Sequence, residues 1–218
     1  MQIRGAIFDM DGTLIDSLGS WGDFINFFET KYHLKFDYEK NADLLRQFRT
    51  VPINEVAVIV HEKFGIGESA ETIANELVER LEIFYRTRVE CKPDIPAFLK
   101  GLSQKGVKMC IASATRPELI RVVLRRLGIN QYFPEIVSCE DVGKNKSFPD
   151  VFLAALDRLG TPKEETWVFE DSITALQTAK KAGFHTVGVY DRNNDRQEQV
   201  AAYSDEYVAA GESICRLL

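Results

Sequence analysis

Short apolar runs alternate with helical patterns along most of the chain. The first run, Ala6-Ile7-Phe8, is short enough to be a buried strand, and polar residues from Asp9 to Gly12 predict a turn directly after it. Further strands are predicted over residues 107–112, 136–137, 167–169, 186–189 and 206–208. Because helical patterns separate these strands, we predict an α/β fold with a parallel sheet that helices cover on both faces.

The helical patterns fall into two groups. Residues 17–89 carry apolar side chains at helical spacing and no convincing strand, which predicts a helical insertion. Between the later strands, helices are predicted over residues 95–102, 117–127, 151–159 and 172–182. Thr115 and Glu118 have the spacing of a capping box at the start of the second of these, and Gly128 ends it. We therefore predict a core formed by residues 1–16 and 90–218, with a helical cap formed by residues 17–89.

Charge and composition narrow the class of partner. The 218-residue chain has a net charge of -6 and a pI near 5.2, so it has no long-range attraction to nucleic acid or to an anionic membrane. The sequence shows neither a secretion signal nor an apolar run that spans a bilayer. Its four scattered cysteines indicate reduced thiols. We expect a cytoplasmic protein whose partner is a small metabolite; the sequence does not indicate the oligomeric state.

Polar residues follow three of the predicted strands. Asp9 and Asp11 follow the first, Ser113 follows the second, and Glu170 and Asp171 follow the strand over residues 167–169. Because open parallel sheets bind ligands at the carboxyl ends of their strands, we expect these side chains to converge. Carboxylates held together repel one another unless a hard dication with oxygen ligands lies between them. The residues therefore predict a magnesium site.

Four segments, in order, resemble the four signatures of the haloacid dehalogenase superfamily, and the resemblance to its phosphatase branch is close. They are DMDGTL at residues 9–14, IASAT at 111–115, KSFPD at 146–150 and VFEDS at 168–172. Together they span nearly the whole chain. The resemblance implies a Rossmann-like core with a helical cap, and a phosphatase that acts on a small phosphomonoester such as a sugar phosphate or a phosphorylated organic acid.

The resemblance also implies a role for each residue. Asp9 would attack phosphorus and form an aspartyl-phosphate, and Asp11 would serve as general acid and then as general base. Lys146 would orient Asp9 and stabilise the phosphoryl oxygens, while Ser113 would donate a hydrogen bond to them.

The same resemblance implies a set of magnesium ligands. Asp9 and Asp171 would bind the ion, the carbonyl group of Asp11 would face it, and Glu170 would bind either directly or through water.

Several alternatives stay open at this point. Ser147 stands where the family has proline after its lysine, so Lys144 is a rival to Lys146, although Pro149 and Asp150 keep their offsets from Lys146. The resemblance disfavours a hexose phosphomutase, because those members of the superfamily have a histidine on the first cap helix and no histidine lies between Asp16 and Lys31 here. A non-catalytic phosphate-binding regulator is disfavoured by Asp11. Candidate specificity contacts in the cap are Trp21, Arg46, Arg49 and Thr50.

Overall fold

The computed structural model describes residues 3–48, 51–194 and 196–218, with the side chains of Ser20 and Trp21 left out. Its six strands are β1 Gly5–Phe8, β2 Lys108–Ser113, β3 Glu135–Ser138, β4 Thr166–Glu170, β5 His185–Val189 and β6 Glu206–Val208. They form one parallel sheet in the order β3-β2-β1-β4-β5-β6. The order reverses direction at β1, so a crevice opens at the carboxyl end of that central strand.

Ten α-helices surround or extend this sheet within the described residues. They are α1 Ser20–Tyr32, α2 Ala42–Phe48, α3 Ile53–Phe64, α4 Ala70–Thr87, α5 Ile95–Gln104, α6 Pro117–Arg126, α7 Cys139–Val142, α8 Asp150–Leu159, α9 Ile173–Lys181 and α10 Gln197–Tyr203. None of the described helices has both the length and the apolar character that a membrane span needs.

The sheet separates two apolar clusters because successive strand residues point to opposite faces. On β2, Met109 and Ile111 belong to a cluster that includes residues of α5 and α6. Cys110 and Ala112, which alternate with them, belong to a second cluster that includes residues of α8 and α9. Residues of α1 to α4 join the first cluster. The predicted fold class, a parallel sheet with helices on both faces and a helical insertion, is confirmed.

The four helices α1 to α4 make up most of the insertion. Between residues 17 and 89, the described chain consists of helices, turns and irregular segments, without a strand. We call α1 to α4 the helical segment; the domain boundaries after residues 16 and 89 stay a prediction. All four cysteines are unpaired, as the sequence indicated.

Two stretches of chain connect the helical segment to the sheet, and they run side by side. Ile15 and Cys91 form an antiparallel bridge. The backbone N–H of Asp16 donates to the carbonyl of Glu90 at 3.0 Å, and the N–H of Lys92 donates to the carbonyl of Leu14 at 3.0 Å. The connection is therefore a short two-stranded ribbon.

Candidate active site

A group of buried polar residues lies where β1 ends between its neighbours β2 and β4. Asp9 follows β1 directly, and its backbone N–H donates to the carbonyl of Phe169 on β4 at 3.0 Å. The chain then turns at Gly12, whose φ is 85°. A Cβ atom at Gly12 would lie 2.7 Å from a carboxylate oxygen of Asp171. Glycine is therefore required here for two reasons: the backbone has a positive φ, and the nearby Asp171 carboxylate leaves no room for a Cβ atom.

Three carboxylates converge at this point. Asp9, Glu170 and Asp171 are all buried, and each contributes an oxygen atom to a group whose members lie within 4.8 Å of one another. The structure therefore brings together three of the four residues that the sequence nominated as metal ligands.

The ammonium group of Lys146 lies beside two of these carboxylates. It donates to Oδ1 of Asp9 and, at 2.6 Å, to Oε1 of Glu170. Lys146 comes from the loop between α7 and α8 and is 3% exposed. Lys144, the rival candidate, is half exposed and pairs with Asp150 at 3.4 Å. The structure thus places Lys146 in the site and Lys144 outside it.

Burial and mutual repulsion disturb the protonation of these carboxylates. Burial is the main reason that the pKa of Asp9 rises to about 8; Lys146 opposes the shift and Glu170 adds to it. Burial, followed by the charges of Glu170 and Asp9, raises the pKa of Asp171 well above its ordinary range. Burial alone would lower the pKa of Lys146, but the adjacent Asp9 and Glu170 outweigh it and raise that pKa.

The donor set fits a hard divalent cation. Three carboxylates face one ammonium group, so the chain's own charges leave an excess of negative charge in a buried place. A cation that prefers oxygen ligands would offset that excess and lower the pKa values that burial has raised. The acidic cluster is therefore able to hold a metal ion.

The carboxylate of Asp11 lies in different surroundings from the other three. Its Oδ1 atom accepts hydrogen bonds from the hydroxyl groups of Ser17 and Tyr85, both at 2.6 Å. Its Oδ2 atom accepts one from the hydroxyl of Thr115 at 2.8 Å. Burial and the charge of Asp11 raise the pKa of Tyr85 well above its ordinary range, so this phenol stays protonated and donates. A carbonyl ligand from Asp11 to the metal stays a prediction.

Thr115 corrects one expectation. The capping box predicted for Thr115 and Glu118 is wrong, because Arg116 is the N-cap residue of α6 and makes no side-chain cap hydrogen bond. The Thr115 hydroxyl donates to Asp11 instead. A hydrogen bond to a carboxylate is stronger than one between neutral groups, which explains the preference. The predicted bounds of the helix are nevertheless close to those observed.

Sequence reasoning did not identify Ser17, Tyr85 or Thr115 as site residues. Thr115 lies two residues after Ser113, and its proximity to a nominated residue was an available signal. Tyr85 is separated from Asp11 by 74 positions, and its helical spacing indicates only a core position. Its contribution depends on how α4 packs against α6 near the end of β1, which residue spacing does not reveal.

Ser113 lies at the end of β2 and is almost fully buried. Its Oγ atom accepts a hydrogen bond from the backbone N–H of Thr115 at 3.1 Å. Because this bond uses an acceptor site, the hydroxyl proton of Ser113 stays able to donate to a ligand. Ser113 also lines the cavity that Asp9 lines.

A cavity lies between the strand ends and the helical segment. Its floor includes Asp9, Asp11, Ser113, Lys146, Glu170 and Asp171. Its apolar wall includes Phe24, Phe48, Val51, Ile53, Val78 and Leu81. Among the proposed cap contacts, Arg46 donates to Asp43 at 2.6 Å within its own helix. The other three proposed contacts, the Trp21 side chain, Arg49 and Thr50, lie outside what the structure describes.

The fold and the site define an α/β enzyme with a buried acidic centre at the carboxyl ends of its strands. Residues 6–189 match the family described as haloacid dehalogenase-like hydrolase, and the chain belongs to this family. A phosphorylated carbohydrates phosphatase of Thermotoga maritima is 30% identical over 196 residues, which cover 88% of each chain. A fructose-1-phosphate phosphatase of Escherichia coli is 24% identical over 192 residues, covering 86% of this chain and 97% of the relative.

Solved structures agree with this assignment. One from Thermotoga maritima, described as a candidate beta-phosphoglucomutase, has a TM-score of 0.75 at 27% identity; the match covers 99% of this chain and 98% of that chain. The predicted enzyme class, a phosphoric monoester hydrolase of the phosphatase branch, is confirmed by the family and by its phosphatase relatives. A non-catalytic regulator is accordingly set aside.

Proposed function

We propose that this chain is a magnesium-dependent phosphatase that hydrolyses a small phosphomonoester through an aspartyl-phosphate on Asp9. One observation carries the proposal: Asp9 lines the cavity, accepts a hydrogen bond from the Lys146 ammonium group and lies beside the Glu170 and Asp171 carboxylates. Relatives named for phosphorylated carbohydrates and fructose 1-phosphate support a sugar phosphate or a similar small ester as the substrate. Cytoplasmic location and the absence of nucleic-acid or membrane partners remain expectations from the sequence.

The first step transfers the phosphoryl group to the chain. A carboxylate oxygen of Asp9 forms a bond to phosphorus while the bond from phosphorus to the ester oxygen breaks. Asp11 gives its proton to the departing alkoxide. Lys146 holds the Asp9 carboxylate by Oδ1 and offsets charge on the phosphoryl oxygens, to which Ser113 donates a hydrogen bond.

The second step releases phosphate. Asp11, now ionised, takes a proton from a water molecule as the oxygen of that water bonds to phosphorus. The bond between phosphorus and Asp9 then breaks, which restores the free carboxylate. The apolar wall of the helical segment limits the access of bulk water to this reaction.

Asp9 and Asp171, together with the carbonyl of Asp11, would hold magnesium. Both carboxylate oxygens of Glu170 already accept hydrogen bonds, Oε1 from Lys146 at 2.6 Å and Oε2 from the Ser172 N–H at 2.8 Å, which favours contact through water. Bound there, magnesium supplies positive charge between the nucleophile and the phosphate.

A hexose phosphomutase is the second candidate, because a solved structure described as a candidate beta-phosphoglucomutase matches 99% of this chain at 27% identity. Asp11 receives its hydrogen bonds from hydroxyl groups, and no histidine lies between residues 16 and 31, which favours the hydrolase. Incubation with glucose 1-phosphate separates the two: a mutase forms glucose 6-phosphate, whereas a phosphatase releases inorganic phosphate.

We expect phosphate release from 4-nitrophenyl phosphate and from a panel of sugar and organic-acid phosphates to require magnesium. Removing the ion with a chelator abolishes turnover, because the buried carboxylates then repel both one another and the substrate. Re-addition of magnesium restores it, and the panel member with the highest kcat/KM defines the substrate class. Undiminished turnover in excess chelator, or no turnover on any ester with magnesium present, contradicts the proposal.

We also expect the metal-free protein to lose stability as the pH rises from 3.8 towards about 8, because Asp9 has that raised pKa only when folded. In this window the folded state binds more protons than the unfolded state, so the free energy of unfolding falls with pH. Urea unfolding in chelator at several pH values measures the slope. Magnesium should flatten it by offsetting the charge of the cluster, and Asp171→Asn should flatten it by removing a second carboxyl whose pKa burial raises. A free energy of unfolding that rises with pH contradicts the assignment.

A further inference from the structure

Asp11 is held by a tyrosine of the helical segment in addition to hydroxyl groups near the sheet. We propose that Tyr85 is a positioning residue that fixes Oδ1 of Asp11, so that Oδ2 is the oxygen that exchanges the proton with the substrate. The inference rests on the proposed phosphatase function and assigns that function a residue outside the four family signatures.

The hydrogen bonds distinguish the two oxygens of Asp11. An ionised carboxylate has about four acceptor sites, two on each oxygen. Ser17 and Tyr85, each at 2.6 Å, use both sites on Oδ1, whereas Thr115, at 2.8 Å, uses one site on Oδ2. Asp11 lines the cavity, so the remaining site on Oδ2 is the one that can receive or give a proton there.

The position of the Tyr85 hydroxyl is itself well determined. Its side chain is only 1% exposed and belongs to the first apolar cluster. Its backbone carbonyl accepts a hydrogen bond from Nε of Arg126 on α6 at 2.7 Å. Packing on one side and a hydrogen bond to α6 on the other therefore fix the end of α4, and with it the distance between the hydroxyl and Asp11.

The three donors do not come from the same part of the chain. Thr115 follows β2 and Ser17 follows the connecting ribbon, whereas Tyr85 lies in α4. Asp11 therefore has its full set of donors only when α4 lies against α6 as it does here. The proton-transfer geometry depends in this way on the placement of the helical segment.

Tyr85→Phe tests the inference because it removes the hydroxyl and keeps the ring. We expect kcat/KM for an alkyl phosphate, whose leaving group needs a proton, to fall about ten-fold. For 4-nitrophenyl phosphate, which releases a stable phenolate, we expect kcat/KM to change by less than about two-fold, because this parameter reports the first irreversible step. The matched control is Tyr32→Phe, which removes a hydroxyl bonded to Glu76 at 2.7 Å and should leave both values unchanged.

A double-mutant cycle adds a readout that a purely structural role does not produce. In an Asp11→Asn background, Tyr85→Phe should have almost no further effect on the alkyl ester, because Tyr85 acts through Asp11. Ser17→Ala removes the other donor to Oδ1 and should likewise lower kcat/KM for the alkyl phosphate more than for 4-nitrophenyl phosphate. This variant tests the inference if Tyr85→Phe does not fold. Thermal unfolding checks the fold of each variant.

The outcomes separate the inference from the function on which it rests. If the wild type hydrolyses no ester with magnesium present, the proposed function fails. If the wild type is active but Tyr85→Phe behaves like Tyr32→Phe, slows both esters equally, or adds its full effect to Asp11→Asn, the inference alone is overturned.

Discussion

Asp9→Asn is expected to lower kcat by about 10⁴-fold or more, since it removes the covalent nucleophile while keeping the size of the side chain. An amide lacks the charge and the basicity needed to attack phosphorus. The variant should still fold, because it reduces repulsion among buried carboxylates. Phosphate release with magnesium present measures the loss, and mass spectrometry after rapid quenching should detect a phosphoenzyme in the wild type but not in the variant.

Asp16→Asn is the matched control for Asp9→Asn. Asp16 lies near the same loop, but its partly exposed side chain pairs with Arg192 at 2.8 Å. Its loss should change kcat by less than about two-fold, as expected for an exposed ion pair. Turnover by Asp9→Asn that remains within about ten-fold of the wild type would rule out Asp9 as the nucleophile.

Lys146→Met is expected to lower kcat by about 10²- to 10³-fold, the usual effect of losing one group that stabilises a developing charge. Methionine keeps much of the side-chain volume but leaves Asp9 and Glu170 without their cationic partner. Without magnesium, the loss of one partner from a buried pair should also cost about 3–5 kcal/mol of folding stability. Magnesium should recover part of that stability, and urea unfolding with and without the ion measures both effects.

Lys144→Met distinguishes the two lysines that the sequence left open. Lys144 is half exposed, and its ammonium group pairs with Asp150 and lies 5.1 Å from the centre of the Phe148 ring, outside the cavity, so its removal should leave both kcat and stability nearly unchanged. If Lys144→Met proved as damaging as Lys146→Met, the assignment of the catalytic lysine would be reversed.

The fold was predictable because its strands are nearly all buried. β1 and β4 are buried along their full length. Asp9 comes directly after β1, and β4 ends in Glu170, so apolar runs with polar ends mark the strands and the functional edge together. The short helices α7 and α10 were not predicted. Each has only four to seven residues, which is too short for helical periodicity to emerge from the sequence.

Site residues at the end of a strand or in the loop after it could be predicted from the sequence. Contacts that depend on how distant helices pack together could not. Ser113 and Glu170 are the last residues of β2 and β4, and Asp9 and Asp171 come directly after β1 and β4. Their convergence therefore follows from a parallel sheet. The Thr115 hydroxyl was predicted to cap α6, but it donates to Asp11. Local spacing indicates a helix cap and carries no information about a carboxylate that is distant in sequence. The Tyr85 contact requires the tertiary placement of α4.

The connecting ribbon has an evolutionary consequence. Asp16 and Glu90 are hydrogen-bonded neighbours, so the chain leaves the sheet and returns to it at the same place. The helical segment is therefore a long insertion whose two ends are adjacent. The entropy of closing a loop grows only slowly with its length, so insertions and deletions in the irregular connections of this segment add little closure cost for the sheet. Natural variation can therefore remodel the wall above the carboxylates while the register of the strands is inherited unchanged.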